Sequence, residues 1–327
     1  MLAAATECEH AYSLGRIGLI VSAAAPTLST INARLCALRV SRLDPATSEV
    51  LRFEFQSGGL PTVQRPDESL RQVYDPADGE VGYAPASDQL FLSLGKTRGI
   101  CDPASGLTRV WSPDSAQELW LLSHPMLTLP LLEQLKRRGL YSVHAAGVSR
   151  AGRALLIVGS TGSGKTTLAL ALARSGRFDF LGDDLLFLTT DTGQSRVHAF
   201  PDEVDVTAAT TRFFPELRQL ACAPRQSGWP KWSFRAEEAF NTRIAWSCEP
   251  AALVFPRIGE SETSRLEHMS GADALLEMLP NVLLTEPAAC QAHLGALARL
   301  AHETPSYRLT TGRDFDVLPE RLGALLR

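Results

Sequence analysis

The sequence predicts an α/β fold in which the second half of the chain forms a sheet with covering helices, preceded by a small strand-rich α+β region. Two observations support this class. From Tyr141 onward, apolar strand-like runs alternate with helical patterns, which is typical of a sheet covered by helices. From about residue 14 to 100, short apolar runs are separated by turn residues, and a single helical pattern, Leu28 to Leu38, occurs among them.

A helical pattern connects the two regions. Apolar residues in WLLSHPMLTLPLLEQLKRRGL, residues 120 to 140, recur at helical spacing, and a glycine stands near the end of the run. A chain of 327 residues is long enough for two domains. We therefore expect a strand-rich domain over 1–118, a linking helix over 119–140 and a larger α/β domain over 141–327.

The larger domain is predicted to contain elements in an alternating order. They are a strand YSVHAAGV (141–148), a strand ALLIVG (154–159), a helix over Thr166 to Arg174, a strand FDFLGDDLLFLTT (178–190), a strand AALVFPRI (251–258), helices over Gly271 to Leu279 and Ala288 to Glu303, a short strand SYRLTT (306–311) and a terminal helix from Pro319.

Composition excludes several function classes. A formal net charge of -4 gives no general attraction to nucleic acid or acidic lipid, so neither partner is expected. Ile17 to Ala25 is apolar, but Glu7 and Glu9 precede it where a signal peptide has positive charge, and no run is long enough to cross a membrane. The six cysteines, which form no metal-binding pattern, are expected to be reduced thiols of a cytoplasmic protein. They are Cys8, Cys36, Cys101, Cys222, Cys248 and Cys290.

A glycine-rich loop joins the strand ALLIVG to the following helix. Its sequence, GSTGSGKTT, meets the phosphate-loop pattern in the strand-loop-helix context that the pattern requires. Its glycines let successive backbone N–H groups point at phosphate oxygens, and the helix N-terminus adds positive potential. The residues expected to bind nucleotide are Gly159, Ser160, Thr161, Gly162, Ser163, Gly164, Lys165, Thr166 and Thr167.

Two side chains of this loop have specific expected roles. Lys165 neutralises the β- and γ-phosphates, and the Thr166 hydroxyl ligates Mg²⁺. Motifs for guanine recognition and for transporter ATPases are missing from the sequence, so ATP and kinase chemistry are favoured.

Asp183 and Asp184 follow the loop by one short helix and one strand. We expect them at the carboxyl end of a strand that neighbours the phosphate-loop strand. There, one carboxylate can hold Mg²⁺ while the other accepts the proton of an attacking hydroxyl. The alternative interpretation is a surface turn, which the apolar residues on both sides disfavour.

His144 lies in YSVHAAGV, which is predicted to be an adjacent strand of the same sheet. Its side chain could donate to a phosphate or to the acid pair. A lone histidine in an apolar strand is more often a core residue, so both interpretations stay open on the sequence alone.

Three segments together resemble a known family. HAAGV (144–148), LLIVGSTGSGKTTLALALARSG (155–176) and LGDDLLFL (181–188) are similar to the catalytic domain of the HPr serine kinase/phosphorylase family and its relatives. The similarity continues loosely through PKWSF (230–234) and LVFPRI (253–258). This chain departs from the bifunctional enzyme at Thr167, where that enzyme has an acidic residue, and in lacking its downstream glycine-rich segment.

The resemblance implies a fold akin to phosphoenolpyruvate carboxykinase and an ATP- and Mg²⁺-dependent kinase of serine hydroxyls. It implies that Asp183 is the acid/base, that Asp184 lies at the metal with Thr166, and that His144 is the family histidine. Lys231, as a nucleotide-binding residue, and Arg257 are expected to supply positive charge to the transferring phosphoryl group.

The expected partners are ATP and a peptide, protein or small-molecule hydroxyl acceptor, and a homo-oligomeric state is left open. Two other functions remain alternatives to a serine kinase. One is a small-metabolite kinase, and the other is a nucleotide-binding regulator with weak ATPase activity.

Overall fold

The chain is a mixed α/β protein with large sheets and covering helices, as the sequence predicts. A computed structural model describes residues 8–59, 61–76, 78–190, 193–218 and 231–327. The chain divides into two compact units, Met1–Arg138 with Leu283–Cys290, and Gly139–Val282 with Gln291–Arg327.

The first unit is built around one nine-stranded sheet with the order β3-β1-β2-β4-β9-β8-β7-β6-β5. Its elements are β1 (Cys8–Leu14), β2 (Ile17–Ala23), α1 (Ala25–Leu35), β3 (Arg39–Val40), β4 (Glu49–Ser57), β5 (Arg71–Tyr74), β6 (Gly79–Ala84), β7 (Gln89–Leu94), β8 (Thr97–Asp102), β9 (Leu107–Ser112), α2 (Leu119–Ser123) and α3 (Pro125–Lys136). Only the pairs β2–β4 and β4–β9 are parallel among its described strands, so β-hairpins build most of the sheet.

Two helix predictions in this unit need correction. The helix expected over Leu28 to Leu38 begins earlier, at Ala25, because a proline in the first turn costs no helical hydrogen bond. It ends at Leu35, and a short 3-10 helix, Cys36–Leu38, follows it.

The single linking helix predicted over 119–140 is wrong. It is two helices, α2 and α3, because His124 has non-helical backbone angles (φ -111°, ψ -92°) immediately before Pro125. A residue before proline is pushed away from the helical region, so the chain turns there and starts a new helix. That second helix ends at Lys136.

A buried ionic network holds α3 to the segment Leu283–Cys290. Glu133 is fully buried and accepts hydrogen bonds from Lys136 Nζ (2.7 Å), Arg137 Nε (2.8 Å) and Thr285 Oγ1 (2.7 Å). Lys136 also donates to the Leu283 carbonyl at 2.8 Å. A buried charge without a partner costs several kcal/mol, so this network depends on each of its members.

Glu133→Gln should lower the free energy of unfolding by about 3 kcal/mol, because the buried Lys136 ammonium loses its counterion. Urea denaturation followed by circular dichroism measures the change. The matched control is Glu54→Gln, which removes an exposed pair with Arg109 (3.2 Å) and should cost less than about 1 kcal/mol. Equal effects of the two substitutions would contradict a stabilising role for the buried network.

The second unit contains a sheet with the path β10-β14-β15-β18-β12-β11-β13, with β20 paired to β18 and β19 to β20. Its strands are β10 (Tyr141–Val143), β11 (Ala145–Arg150), β12 (Arg153–Val158), β13 (Asp179–Gly182), β14 (Leu186–Thr189), β15 (Arg196–Ala199), β16 (Val204–Thr207), β17 (Lys231–Phe234), β18 (Ser247–Ile258), β19 (Arg265–Met269) and β20 (Ser306–Thr311). Its helices are α4 (Lys165–Arg174), α5 (Ala208–Thr211), α6 (Ala236–Phe240), α7 (Gly271–Met278), α8 (Pro287–Glu303) and α9 (Leu318–Gly323), with 3-10 helices at Pro215–Arg218, Leu279–Asn281, Phe315–Val317 and Ala324–Leu326.

Helices cover both faces of this sheet. Leu155 and Ile157 of β12 enter one core with α4, whereas Leu156 and Val158 enter a second core with α7 and α8. A strand buried on both faces needs apolar residues at every position, which explains the continuous run ALLIV. This double burial fixes β12 at the centre of the unit.

Two strands predicted as continuous are each broken. YSVHAAGV forms β10 and β11 with His144 between them, and residues 178–190 contain β13 and β14 with Asp183 to Leu185 between them. Asp184 has φ +65°, a left-handed backbone conformation that cannot continue a strand. Both breaks place polar residues outside the hydrogen-bonded ladder, where their side chains can serve a site.

Three further observations concern expectations from composition. Within the described residues, no helix combines the length and apolar character that a membrane span requires. Cys101, Cys248 and Cys290 are buried and carry no disulfide bond. Cys222 lies outside the described residues.

Candidate functional site

The predicted site residues lie at one edge of the second sheet. β18 and β20 are parallel to β12, whereas β11 is antiparallel to both β12 and β13. The carboxyl ends of β12, β13, β18 and β20 and the amino end of β11 therefore share this edge, which is where open α/β sheets bind ligands. The sequence predicts that the strand before the acid pair, β13, neighbours β12, and this is wrong. The hairpin strand β11 lies between β12 and β13.

The loop after β12 has a backbone that requires glycine at several positions. Gly162 and Gly164 have φ of +83° and +97°, in the left-handed region that side chains disfavour. A Cβ on Gly159 would lie 2.8 Å from Ser163 Oγ, so a side chain there would displace the loop. Helix α4 starts directly at Lys165, which brings its N-terminus to the loop.

Lys165 is held over the loop by backbone oxygens. Its Nζ donates to the Gly159 carbonyl at 2.8 Å and to the Ser160 carbonyl at 3.2 Å, and the residue is 5% exposed. Burial lowers the pKa of the ammonium, and the charges of Asp184 and Asp183 oppose that shift. The lysine is thus a cation fixed by the loop it would serve.

Thr166 and Asp183 join the loop to the end of β13. The Thr166 hydroxyl lies 3.0 Å and 3.1 Å from the two carboxylate oxygens of Asp183, which is 6% exposed. Burial, followed by the negative charge of Asp184, raises the pKa of Asp183 to about 8. In the ligand-free protein this carboxyl is consequently protonated at neutral pH.

His144 contacts the backbone of Asp184. Its Nδ1 lies 2.9 Å from the Asp184 carbonyl oxygen, and because a carbonyl can only accept, Nδ1 carries the proton. Burial, followed by the Lys165 charge, lowers the pKa of His144, so the ring is neutral at pH 7. In this tautomer Nε2 of His144 carries no proton and can accept one. The Asp184 side chain is exposed.

A two-stranded sheet of β16 and β17 adds further charge. Lys231 begins β17 opposite Thr207, and it lies near enough to Lys165 to lower the pKa of that lysine. Asp205 on β16 accepts a hydrogen bond from Ser233 Oγ at 2.6 Å and helps raise the pKa of Asp183. Sequence reasoning missed Asp205, although an acid within the alternating run VDV could have indicated it. Pro230, part of the similar segment PKWSF, lies outside the described residues.

Arg257 also lies at the loop, near the end of β18. Its guanidinium donates to Glu277 of α7 at 3.2 Å, and both residues line a cavity of about 360 Å³ with the loop residues 159–163. A carboxylate oxygen of Glu277 also lies 3.6 Å from a guanidinium nitrogen of Arg308. The sequence does not indicate a role for Glu277, because its pattern is that of an ordinary surface residue of a helix.

No protein-family model matches this chain, and no curated protein matches it. It is similar to the solved structure of the Hpr(Ser) kinase/phosphatase from Coxiella burnetii, at 13% identity and a TM-score of 0.31, over 57% of this chain and 93% of that one.

The residues of this edge fit a nucleotide and Mg²⁺. The loop offers backbone N–H groups and a helix N-terminus to phosphate, and the buried Ser163 Oγ has no hydrogen-bond partner among the described residues. Thr166 and Asp183 present adjacent oxygens, which are the ligands that Mg²⁺ prefers. An unpaired buried hydroxyl inside the loop is a group that a phosphate oxygen can satisfy.

Asp183→Asn should stabilise the ligand-free protein at pH 8 but not at pH 4. The folded state raises the pKa of Asp183 to about 8 from 3.8, so folding opposes ionisation, and stability falls as the pH rises through this range. Asparagine cannot ionise, so we expect the substitution to raise the free energy of unfolding by at least about 1 kcal/mol at pH 8. Urea unfolding at both pH values measures it, and Asp179→Asn at a partly exposed position is the control. A loss of stability at pH 8 would show that the folded state favours the carboxylate.

Proposed function

We propose that this protein is a Mg²⁺-dependent phosphotransferase that transfers the γ-phosphoryl group of ATP to a serine, or another, hydroxyl of a peptide or protein. The observation that carries the proposal is a cluster of polar side chains at one edge of the sheet. Thr166 contacts Asp183, His144 contacts the Asp184 carbonyl, and Lys165 is held by the loop, so a lysine, a hydroxyl, two carboxyl groups and a neutral imidazole lie at this edge.

Binding of the triphosphate is assigned to the loop. Its backbone N–H groups and the N-terminus of α4 bind phosphate oxygens, and Lys165 neutralises the charge of the β- and γ-phosphates. Lys231 and Arg257 would add positive charge near the loop. Lys165 is already fixed by two carbonyls, so little conformational entropy is lost when it engages phosphate.

Magnesium would be held by Thr166 and Asp183, and bound there it would neutralise developing charge on the phosphoryl oxygens. This reverses the roles that the resemblance implies for the two aspartates. Asp183 is buried against the loop hydroxyl, as a metal-side group should be, whereas the exposed Asp184 carboxylate is free to meet an acceptor.

The acceptor hydroxyl is assigned to the His144 side of the loop. A cavity of about 540 Å³ lies there, lined by His144, Ser160 and Thr161 together with residues of α7. Asp184 would take the proton of the attacking hydroxyl, and the hydrogen bond from His144 would fix the backbone that carries this carboxylate. Neutral His144 also offers Nε2 as an acceptor toward the same hydroxyl.

A small-metabolite kinase is the second candidate. The volume of this cavity lies within the range that small-molecule sites occupy, which favours a compact acceptor as much as a peptide side chain. Both candidates use the same catalytic groups and differ only in the molecule that carries the hydroxyl.

Incubation with γ-labelled ATP and Mg²⁺ tests the proposal. Acceptors should be supplied as a peptide fraction, a metabolite fraction and the purified products of neighbouring genes. Label on a protein or peptide through a phosphate linkage that is stable to acid and labile to alkali identifies seryl phosphate. Label in the metabolite fraction identifies the second candidate. Lys165→Ala should reduce transfer at least a hundredfold, because it removes a charge that stabilises the transition state. Tight ATP binding without transfer to any fraction would leave a nucleotide-binding regulator and contradict the proposal.

The two aspartates should separate in their kinetic effects. Asp184→Asn should lower kcat by two orders of magnitude or more while leaving the Kd of Mg-ADP unchanged, because the acid/base group is lost and the metal ligands are kept. Asp183→Asn should weaken Mg-ADP binding at least tenfold, measured by calorimetry. In the wild type this affinity should rise with pH up to about 8, since Asp183 must lose a proton to bind metal, and the substitution should abolish the rise. The opposite pattern in the two variants would restore the roles that the resemblance implies.

A further inference from the structure

A third and larger cavity adjoins the phosphate loop, and His144 is not among its lining residues. Its volume is about 850 Å³, and Gly164 and Thr167 of the loop and first helical turn form part of its wall. The remaining wall comes from α4, from the chain after α5, from the ends of β18 and β20, from the 3-10 helix Phe315–Val317 and from the start of α9. The residues used below are Arg174, Phe213, Ile258, Thr311, Arg313 and Phe315.

Two aromatic rings and one aliphatic side chain give this cavity an apolar surface. Phe213 is 53% exposed, and its ring centroid lies 5.5 Å from that of Phe315, with the planes tilted by 37°. Ile258 is 74% exposed, and it approaches the loop so closely that a Cβ on Gly164 would lie 4.0 Å from its Cγ1. Large apolar side chains exposed around a concave surface commonly mark a ligand site.

The direction of the phosphate chain decides what this cavity faces. Lys165 takes the β- and γ-phosphates, and Thr166 with Asp183 marks the metal end. His144 lines the smaller cavity on the acceptor side, whereas the larger cavity is reached past Gly164 and Thr167. A nucleotide with its γ-phosphate toward Asp184 and His144 would therefore direct its α-phosphate and nucleoside toward the larger cavity.

We infer that the purine base of the bound nucleotide occupies the cavity of about 850 Å³ and stacks on the exposed ring of Phe213, supported by Phe315. This inference rests on the proposed function, because it requires a nucleotide in the loop. It adds the orientation of that nucleotide and the side chains that hold its base.

The polar lining residues point to stacking as the main contribution. Arg174 pairs with Glu216 at 2.6 Å, and Arg313 pairs with Glu262 at 3.0 Å. The Thr311 hydroxyl donates to the Arg257 carbonyl at 3.2 Å. Both arginines therefore have carboxylate partners, and the base is assigned chiefly to contact through its π-face, from which a purine gains more than the smaller pyrimidine.

Calorimetry with Mg-ATP, Mg-UTP and inorganic tripolyphosphate tests the inference. In the wild type, ATP should bind at least tenfold more tightly than tripolyphosphate and more tightly than UTP. Phe213→Ala should lower the affinity for ATP about tenfold, because one stacking face is lost, and should leave the affinity for tripolyphosphate unchanged. Phe213→Tyr keeps the stacking face and should retain the affinity of the wild type. Phe315→Ala should likewise lower the affinity for ATP and leave that for tripolyphosphate unchanged.

Trp246→Ala is the matched control. Trp246 is similarly exposed, at 50%, but it precedes β18 at the end of that strand opposite Ile258, so its loss should leave every affinity unchanged. The base assignment would be overturned if the wild type and Phe213→Ala bound ATP with equal affinity. If adding Lys165→Ala to either protein then abolished ATP binding, the nucleotide site itself would be retained. Failure of the wild type to bind ATP or tripolyphosphate would overturn the proposed function, and the base assignment with it.

Discussion

The contact between Thr166 and Asp183 is the interaction on which the proposed chemistry depends. It joins the first turn of α4, which follows β12, to the end of β13, and β11 lies between β12 and β13 in the sheet. The contact brings an alcohol and a carboxylate within about 3 Å in a buried place, which is costly for the carboxylate unless it is protonated or meets a cation. The cost is reflected in the raised pKa of Asp183, and in the function that we propose a bound cation would relieve it.

The surrounding architecture makes this contact possible. β12 is buried on both faces, so its position and the direction in which it delivers the loop are fixed by two cores. The breaks between β10 and β11 and between β13 and β14 occur side by side, since β10 pairs with β14 and β11 with β13. His144 and Asp184 lie in these breaks, where the backbone leaves the ladder and can be satisfied by a side chain.

Two cavities at the loop have different surfaces. The cavity of about 540 Å³ is lined by His144, Ser160, Thr161 and polar residues of α7, whereas the cavity of about 850 Å³ is lined by Phe213, Phe315 and Ile258. In the function and the base site that we propose, the acceptor would enter the first cavity and the base the second, so a bound nucleotide would have one direction.

The sequence alone determined the mixed α/β class, because helical and strand-like apolar patterns have different periods and alternate along the chain. It also placed the glycine-rich loop between a strand and a helix, since that loop is a local pattern of contiguous residues. Tertiary structure alone decided the strand order that inserts β11 beside β12, the pairing of Thr166 with Asp183, and the proximity of Asp205. Strand order and charge proximity arise from contacts between residues far apart in the chain, so local patterns in the sequence do not determine them. Phe213 illustrates the same limit, because in sequence it is one more apolar residue, and only the fold leaves its ring exposed beside the loop.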